Sequence, residues 1–350
     1  MRAAQTARND RMQTAINMKQ WIADQINAPQ KKAMPILSFP SISLLGITVS
    51  ELINDDENQV RGMQQIAARV DSAASLGMMD LSVESEAFGS TIQFSDDEVP
   101  TVTGALITTE QEAEKLIVPA VGAGRTGKYI KAIGKAATRI TDRPVLAGIL
   151  GPFSLAGRLM DVNEALVNCL AEPDMMHAAL RKATAFLVEY AKAYKAVGAH
   201  GMVIAEPLAG LLSPALAAEF SGPYVRKIVD AVQDDNFAVV YHNCGNGTIA
   251  MIDSILDTRC SAFHFGNAIN MEEMMPHIPT DIIAMGNVSP AGEFRGGSPE
   301  SIYAETHRIM SACCKYPNFV ISSGCDIPPL SSWANIDSFF KAVKDFYANA

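Results

Sequence analysis

A histidine and two cysteines are the side chains of this sequence best suited to binding a metal ion. His242 and Cys244 lie two residues apart, at the end of the apolar run 237–241. Because alternate residues of a β-strand point to the same side, both side chains can reach one ion without a bend in the backbone. Cys325 follows the apolar run 319–324, again after a predicted strand. One imidazole and two thiolates, with one position left over, are typical of a catalytic rather than a structural zinc.

Short apolar runs alternate with helix-like segments along the chain, and these runs predict β-strands. Their Val and Ile content, without a polar face, is typical of strands that are covered on both sides. The predicted strands are residues 35–39, 79–83, 144–149, 201–206, 238–242, 262–265, 281–285 and 319–322. Amphipathic patterns predict helices at residues 60–76, 174–197, 214–232, 300–312 and 333–347.

This order of elements predicts an α/β fold, a (β/α)8 TIM barrel, with an open doubly wound sheet as the alternative. A barrel gathers the carboxyl ends of its strands around one mouth, and residues that could do chemistry follow several predicted strands. Those residues are Glu84, Glu86, Glu206, His242, Cys244, Asn267, Asn287 and Cys325. We predict one barrel domain at residues 34–350, an N-terminal helical extension at 1–33, and a hairpin insertion after strand two at 88–105.

The composition argues against several classes of protein. The 350 residues are 48% hydrophobic, which is enough for one large barrel-like domain. No apolar run reaches the roughly 18 residues that span a bilayer. The net charge is −10 without a basic block, so we expect no nucleic acid partner. Residues 1–30 lack the apolar centre of a secretory signal and the six cysteines are scattered, so we expect reduced thiols in the cytoplasm.

Six segments, in family order along the chain, resemble the uroporphyrinogen decarboxylase superfamily and, within it, the zinc-dependent corrinoid methyltransferases. They lie at residues 83–89, 151–154, 206–214, 241–246, 285–289 and 323–329. The His-x-Cys and Gly-Cys-x-x-Pro pieces are the most specific. The resemblance implies that His242, Cys244 and Cys325 bind Zn²⁺ and that a corrinoid protein, carrying a methylcobalamin-type cofactor, supplies a methyl group. The implied acceptor is a thiol such as coenzyme M, with homocysteine, another thiol or tetrahydrofolate as alternatives.

Two departures from the family pattern leave alternatives open. The decarboxylase branch carries an Arg-rich signature that binds the carboxylates of a porphyrinogen, whereas residues 38–46 contain no Arg or Lys. Decarboxylation is therefore the alternative activity. Related thiol methyltransferases often have a Glu zinc ligand after strand six, where this chain has Gly266 and Asn267. The fourth ligand is then His264, Asn267 or water, and a non-catalytic subunit that binds a corrinoid protein is a second alternative.

Five polar residues are further candidates for the site. Glu206, Glu84 and Glu86 are predicted at the mouth, where they would orient the substrate or hold the zinc-bound histidine; a solvated carboxylate or a helix cap is the alternative for each. Glu206 is preferred because a Glu-Pro pair directly after a buried strand fixes its direction. Asn287 and Ser289 are predicted to bind the acceptor or the corrinoid, with a turn-forming role as the alternative.

Overall fold

A computed structural model describes residues 16–348. The strands are β1 Ser75–Leu76, β2 Thr91–Gln93, β3 Thr101–Thr103, β4 Val145–Leu150, β5 Gly201–Ala205, β6 Ala238–Asn243, β7 Ala262–Phe265, β8 Ile283–Val288 and β9 Phe319–Ser323. The α-helices are α1 Met18–Asn27, α2 Ser41–Leu45, α3 Val49–Asn54, α4 Asp56–Arg69, α5 Val83–Phe88, α6 Glu110–Lys115, α7 Thr126–Arg139, α8 Pro152–Met160, α9 Val162–Ala171, α10 Pro173–Ala196, α11 Pro214–Phe220, α12 Gly222–Val232, α13 Ile252–Leu256, α14 Met271–Met274, α15 Pro299–Cys313 and α16 Trp333–Ala348. Turns of 3₁₀-helix lie at Leu208–Leu211, Thr248–Met251 and Met275–His277, and a π-helical turn lies at Pro290–Arg295.

Seven strands form one parallel sheet in the order β1-β4-β5-β6-β7-β8-β9. Residues 33–36 lie between its two edge strands and connect them. The Met34 amide donates to the Ile321 carbonyl in β9 (3.0 Å), and the Ala73 amide just before β1 donates to the Ala33 carbonyl (2.8 Å). The sheet therefore curls into a TIM-barrel-like wall, which confirms the predicted fold class.

Side chains of the wall alternate between two apolar layers. One layer fills the interior and includes Val240 and Val320, while the other lies between the wall and the outer helices. Helix α1 covers the amino-terminal end of the strands, because Met18 packs into the interior layer and the Lys19 amide donates to the Asp235 carbonyl just before β6 (3.1 Å). The carboxyl ends of the strands at the other end form the mouth.

Two of the predicted strands are wrong. Residues 35–39 are buried but belong to no ladder, and residues 79–82 lie in the turn before α5, which begins at Val83. In that turn the Ser82 amide and hydroxyl both donate to Asp80 (3.0 and 2.6 Å), which stabilises the turn. Both segments are apolar because they are buried, not because they pair.

The predicted helices are present, and two of them differ most from their predicted limits. The helix predicted at residues 60–76 is α4, which ends at Arg69 so that the chain can enter β1. The helix predicted at residues 214–232 is divided into α11 and α12 at Ser221. Pro223, in the first turn of α12, has no amide hydrogen to continue the helical bonding of α11.

The hairpin predicted within residues 88–105 is confirmed as the antiparallel pair β2 and β3, with Thr91 opposite Thr103, and it follows helix α5 rather than a strand. Helix α1 belongs to the predicted N-terminal extension, of which residues 1–15 lie outside the described residues. The division into an extension at 1–33 and a barrel at 34–350 stays a prediction. No helix between residues 16 and 348 is both long enough and apolar enough to cross a bilayer.

Candidate metal centre

The predicted metal ligands come together at the mouth of the barrel. His242 is the fifth residue of β6, Cys244 follows β6 directly, and Cys325 lies two residues after β9. One nitrogen of His242 and the two sulfur atoms all lie within 4.8 Å of one another. Within residues 16–348, no other three His, Cys, Asp or Glu side chains are arranged to hold an ion. The spacing predicted from sequence therefore corresponds to a real cluster, and its occupation by zinc stays a prediction.

The two cysteines influence each other's ionisation. The hydrogen bond with Cys325 holds the pKa of the Cys244 thiol well below its usual value, against the effect of burial. The same contact, followed by burial, raises the pKa of the Cys325 thiol. The contact between the two sulfur atoms therefore favours ionisation of Cys244 over ionisation of Cys325.

His242 is one end of a line of buried polar groups. Its Nδ1 lies 2.7 Å from Nδ1 of His264, its neighbour on β7, and its Nε2 lies 3.4 Å from the sulfur of Cys325. His264 in turn places Nε2 2.7 Å from the Ser322 hydroxyl, which donates to the Met34 carbonyl (2.8 Å). Both nitrogens of His264 are thus engaged, so this geometry does not offer His264 as the fourth ligand.

Residues 266 and 267 wedge between the two turns that carry the cysteines. A Cβ atom at Gly266 would lie 2.4 Å from Cα of Cys244, closer than any real contact. On the other side, a Cβ atom at Gly324 would lie 2.7 Å from the amide nitrogen of Asn267. A carboxylate at position 266 would therefore displace Cys244. Sequence reasoning identified the missing Glu here but not the close approach that requires a glycine.

Glu206, the preferred carboxylate, caps a helix. Its side chain is fully buried and accepts hydrogen bonds from the amides of Phe153 (2.9 Å) and Ser154 (3.0 Å) at the start of α8, and from the Ser154 hydroxyl (2.7 Å). Burial raises the pKa of Glu206 to about 7, against these hydrogen bonds. Its predicted role with substrate stays a prediction, and the geometry favours the capping alternative.

Glu84 is also a buried carboxylate. One oxygen accepts from the Leu150 amide at the end of β4 (2.9 Å), while Oε2 has no hydrogen-bond partner among the described residues. Burial raises the pKa of Glu84 to about 7. Its predicted catalytic role stays a prediction, because no described hydrogen bond joins it to a metal ligand.

Glu86 pairs with a buried arginine that sequence reasoning missed. Arg125, at the start of α7, contacts Glu86 through Nε (2.5 Å) and also forms an ion pair with Asp80. Asp80 accepts from the hydroxyls of Ser82 (2.6 Å) and Tyr129 (2.8 Å). This cluster fixes the turn after β1, and the predicted catalytic role of Glu86 stays a prediction. Arg125 gave no sequence signal because its partner is 45 residues away.

Asn287 and Ser289 hold the backbone near the mouth. The Asn287 amide group donates to the carbonyls of Gly266 (2.9 Å) and Ile269 (2.8 Å), which supports the segment behind Cys244. The Ser289 hydroxyl accepts from the Gly292 amide and caps the π-helical turn. Their predicted binding of acceptor or corrinoid stays a prediction beside these structural contacts.

Comparison with known proteins agrees with the motifs. The family model described as Uroporphyrinogen decarboxylase (URO-D) matches residues 31–346. A methylcobamide:CoM methyltransferase from Methanosarcina mazei is 26% identical over 272 residues, which cover 76% of this chain and 78% of the relative. A uroporphyrinogen decarboxylase from Prochlorococcus marinus is 26% identical over 73% of this chain and 75% of its own length. Both relatives are enzymes, and they support the prediction that this chain is one.

A solved structure shares the fold. A methyltransferase from Methanosarcina mazei superposes with a TM-score of 0.83 at 23% identity, and the match covers 95% of this chain and 99% of that protein. At this identity the likeness shows the fold alone. It agrees with the barrel assigned above from strand order and closure.

Proposed function

Because the chain belongs to the uroporphyrinogen decarboxylase family, as its motifs predicted, we propose that this enzyme is a zinc-dependent methyltransferase that moves a methyl group from a methylated corrinoid protein to a thiol. The observation that carries the proposal is the cluster of His242, Cys244 and Cys325 at the mouth of the barrel. Two thiolates and one imidazole suit tetrahedral Zn²⁺, and the half-buried cysteines leave the cluster accessible from the mouth.

In the proposed reaction, the three clustered residues bind the metal and the acceptor thiol approaches it from the mouth. His242, Cys244 and Cys325 would hold the zinc, which when bound supplies the charge that favours the thiolate form of the acceptor. Because Gly266 has no side chain and both nitrogens of His264 are engaged, Asn267, water or the acceptor thiol would take the remaining position at the zinc. The acceptor sulfur attacks the methyl carbon of the corrinoid. An S–C bond forms as the Co–C bond breaks, and the electron pair of the broken bond leaves with cobalt as Co(I).

Coenzyme M is the first candidate for the acceptor. The Methanosarcina mazei relative is named for methylcobamide and CoM, and it aligns with 76% of this chain. A thiol also matches the softness of the proposed zinc site better than an amine acceptor such as tetrahydrofolate. Homocysteine and other thiols remain alternatives.

The test is a metal count combined with an absorbance assay of methylcobalamin and a panel of thiols. We expect one zinc per chain and thiol-dependent demethylation, both lost in the Cys244→Ser variant. The matched control is Cys314→Ser, which changes a half-buried cysteine that contacts Tyr347 instead of the cluster. Full zinc content and full activity in Cys244→Ser would contradict the proposal.

The same assays address the two alternatives. Decarboxylation is disfavoured because residues 38–46 offer no cation for a porphyrinogen, and Ser38 and Ser41 within this segment are fully buried. Release of CO₂ from a porphyrinogen by zinc-free protein would favour it nonetheless. A docking subunit would bind methylcorrinoid protein without turnover of any thiol.

A further inference from the structure

We infer that His264 is a positioning residue that fixes the tautomer and ring orientation of His242, so that the free electron pair on His242 Nε2 faces the two cysteines. The inference rests on the proposed function only in taking zinc as the ion that this electron pair would bind. The hydrogen bonds of His264 with His242 and Ser322 are contacts between side chains of this chain and do not depend on which ion binds.

The direction of the hydrogen bonds is set by the Met34 carbonyl, at the end of the line opposite to His242. A backbone carbonyl can only accept, so the Ser322 hydroxyl must donate its one proton to Met34 O (2.8 Å). Ser322 Oγ then has no proton left for His264 and must accept from it. His264 Nε2 therefore carries a hydrogen, at 2.7 Å from that oxygen.

The next link depends on His264 being neutral. His264 is 2% exposed, and no carboxylate among the described residues contacts it, so an imidazolium here would be a buried charge without compensation. In the neutral ring with hydrogen on Nε2, Nδ1 is an acceptor. His242 must then donate from its own Nδ1, which faces His264 Nδ1 at 2.7 Å and, less closely, the His264 carbonyl at 3.3 Å, and this leaves Nε2 as the atom with a free pair.

The geometry locks the ring as well as the tautomer. The two imidazoles meet edge to face, with centroids 4.7 Å apart and planes at 69°. His242 and His264 are register partners on β6 and β7, so the ladder holds their separation. His242 Nε2 is thereby directed at Cys325, 3.4 Å from its sulfur.

The composition of the interior supports a functional reason for this line. Two residues before His242, His264 and Ser322 on the same three strands, the apolar interior layer contains Val240, Ala262 and Val320. His242, His264 and Ser322 occupy the next inward positions. Apolar side chains fill such layers in barrels, and a polar set is costly to bury unless each member is satisfied.

The experiment compares three variants. His264→Asn keeps an acceptor, the amide oxygen, near the position of Nδ1, whereas His264→Leu removes it at similar volume. Ser322→Ala removes the acceptor that holds the hydrogen on His264 Nε2. Two readouts serve each variant: the ¹⁵N shifts of His242 in metal-free protein labelled at its six histidines, and zinc affinity by chelator competition. His242→Gln assigns the His242 signals.

We expect wild type and His264→Asn to hold His242 with its hydrogen on Nδ1 and to bind zinc alike. His264→Leu and Ser322→Ala should show mixed tautomers and bind zinc about 10–100-fold more weakly. A wild-type tautomer and wild-type zinc affinity in both would overturn the inference and leave the proposed function standing. If His264→Leu does not fold, Ser322→Ala decides in the same way. If wild type binds no zinc, the proposed function fails, while the tautomer readout still decides the inference.

Discussion

Glu206 and His242 are hydrogen-bonded through their backbones, yet their side chains point to opposite faces of the barrel wall. The Glu206 amide donates to the His242 carbonyl across 2.9 Å. The imidazole then lies inside the wall near Cys325, whereas the carboxylate lies outside it against the first turn of α8. Two residues that are joined by a backbone hydrogen bond therefore have different roles: His242 belongs to the candidate metal centre, and Glu206 caps α8.

This relationship predicts that Glu206→Gln weakens folding and spares the metal. The NH₂ group of the glutamine would face the backbone amide of Phe153 or of Ser154 as donor against donor, so we expect a loss of about 1–3 kcal/mol in the free energy of unfolding. Zinc content should not change. Denaturant unfolding and a metal count measure both, with Glu189→Gln, on the exposed face of α10, as the matched control. Unchanged stability with a large loss of kcat would instead support the catalytic role.

Gly266→Ala should release zinc. The added methyl group would lie 2.4 Å from Cα of Cys244 and must displace it, so we expect zinc affinity to fall by about tenfold or more. Gly247→Ala is the control, because Gly247 has φ of −85° and its nearest neighbour beyond the adjacent residues lies 3.6 Å from the new atom. Chelator competition measures both variants. Equal affinities would show that close packing at residue 266 does not hold Cys244 in place.

Arg125→Met should be the most destabilising of these substitutions. It leaves Asp80 as a buried carboxylate without its cation, at an expected cost of about 3–5 kcal/mol in the free energy of unfolding. Arg139→Met removes the exposed ion pair with Glu57 and should leave stability nearly unchanged. Urea titration followed by circular dichroism compares the two. Similar midpoints would mean that the Asp80 cluster is solvated in solution.

Glu84 should make the protein less stable as the pH rises. Its pKa is about 7 in the folded chain, against 4.5 as the ordinary value, so the folded state holds a proton that the unfolded state releases between these limits. Stability therefore falls as the pH rises from 4.5 to 7, and by pH 8 the loss amounts to about 3 kcal/mol.

The Glu84→Gln variant should lose less stability than wild type between pH 5 and pH 8. Glu206, whose pKa is raised in the same direction, would account for a remaining slope. Melting temperatures across this range provide the measurement. Glu98→Gln, in the exposed hairpin insertion, should follow wild type. A Glu84→Gln profile parallel to wild type would mean that Glu84 is ionised in the folded protein.

Sequence reasoning succeeded where the relevant information was local. The His-x-Cys spacing on β6 predicted two inward side chains, and both lie in the cluster. It did not predict that the Glu206 side chain lies against α8, because β5 is buried on both faces and the sequence of that strand shows no alternation from which inward and outward residues could be assigned.

The other misses have a similar physical origin. The apolar runs at residues 35–39 and 79–83 are buried by tertiary packing, and burial alone does not distinguish a paired strand from an irregular segment. The partners of Asp80 and His264 come from distant positions on other elements. No local pattern encodes such contacts.

The hydrogen-bonded line from Met34 to His242 also bears on how the protein is made. Met34 and Ser322 are 288 residues apart, and His242 and Cys325 are 83 apart. A nascent chain that has emerged as far as β8 possesses His242 and Cys244 but neither Ser322 nor Cys325. Such a chain has only two of the three candidate ligands. The hydrogen bonds that would support its His242 through His264 and Ser322 are also incomplete. The complete site therefore forms only when β9 joins the sheet, so zinc bound by all three residues would indicate a fully folded barrel.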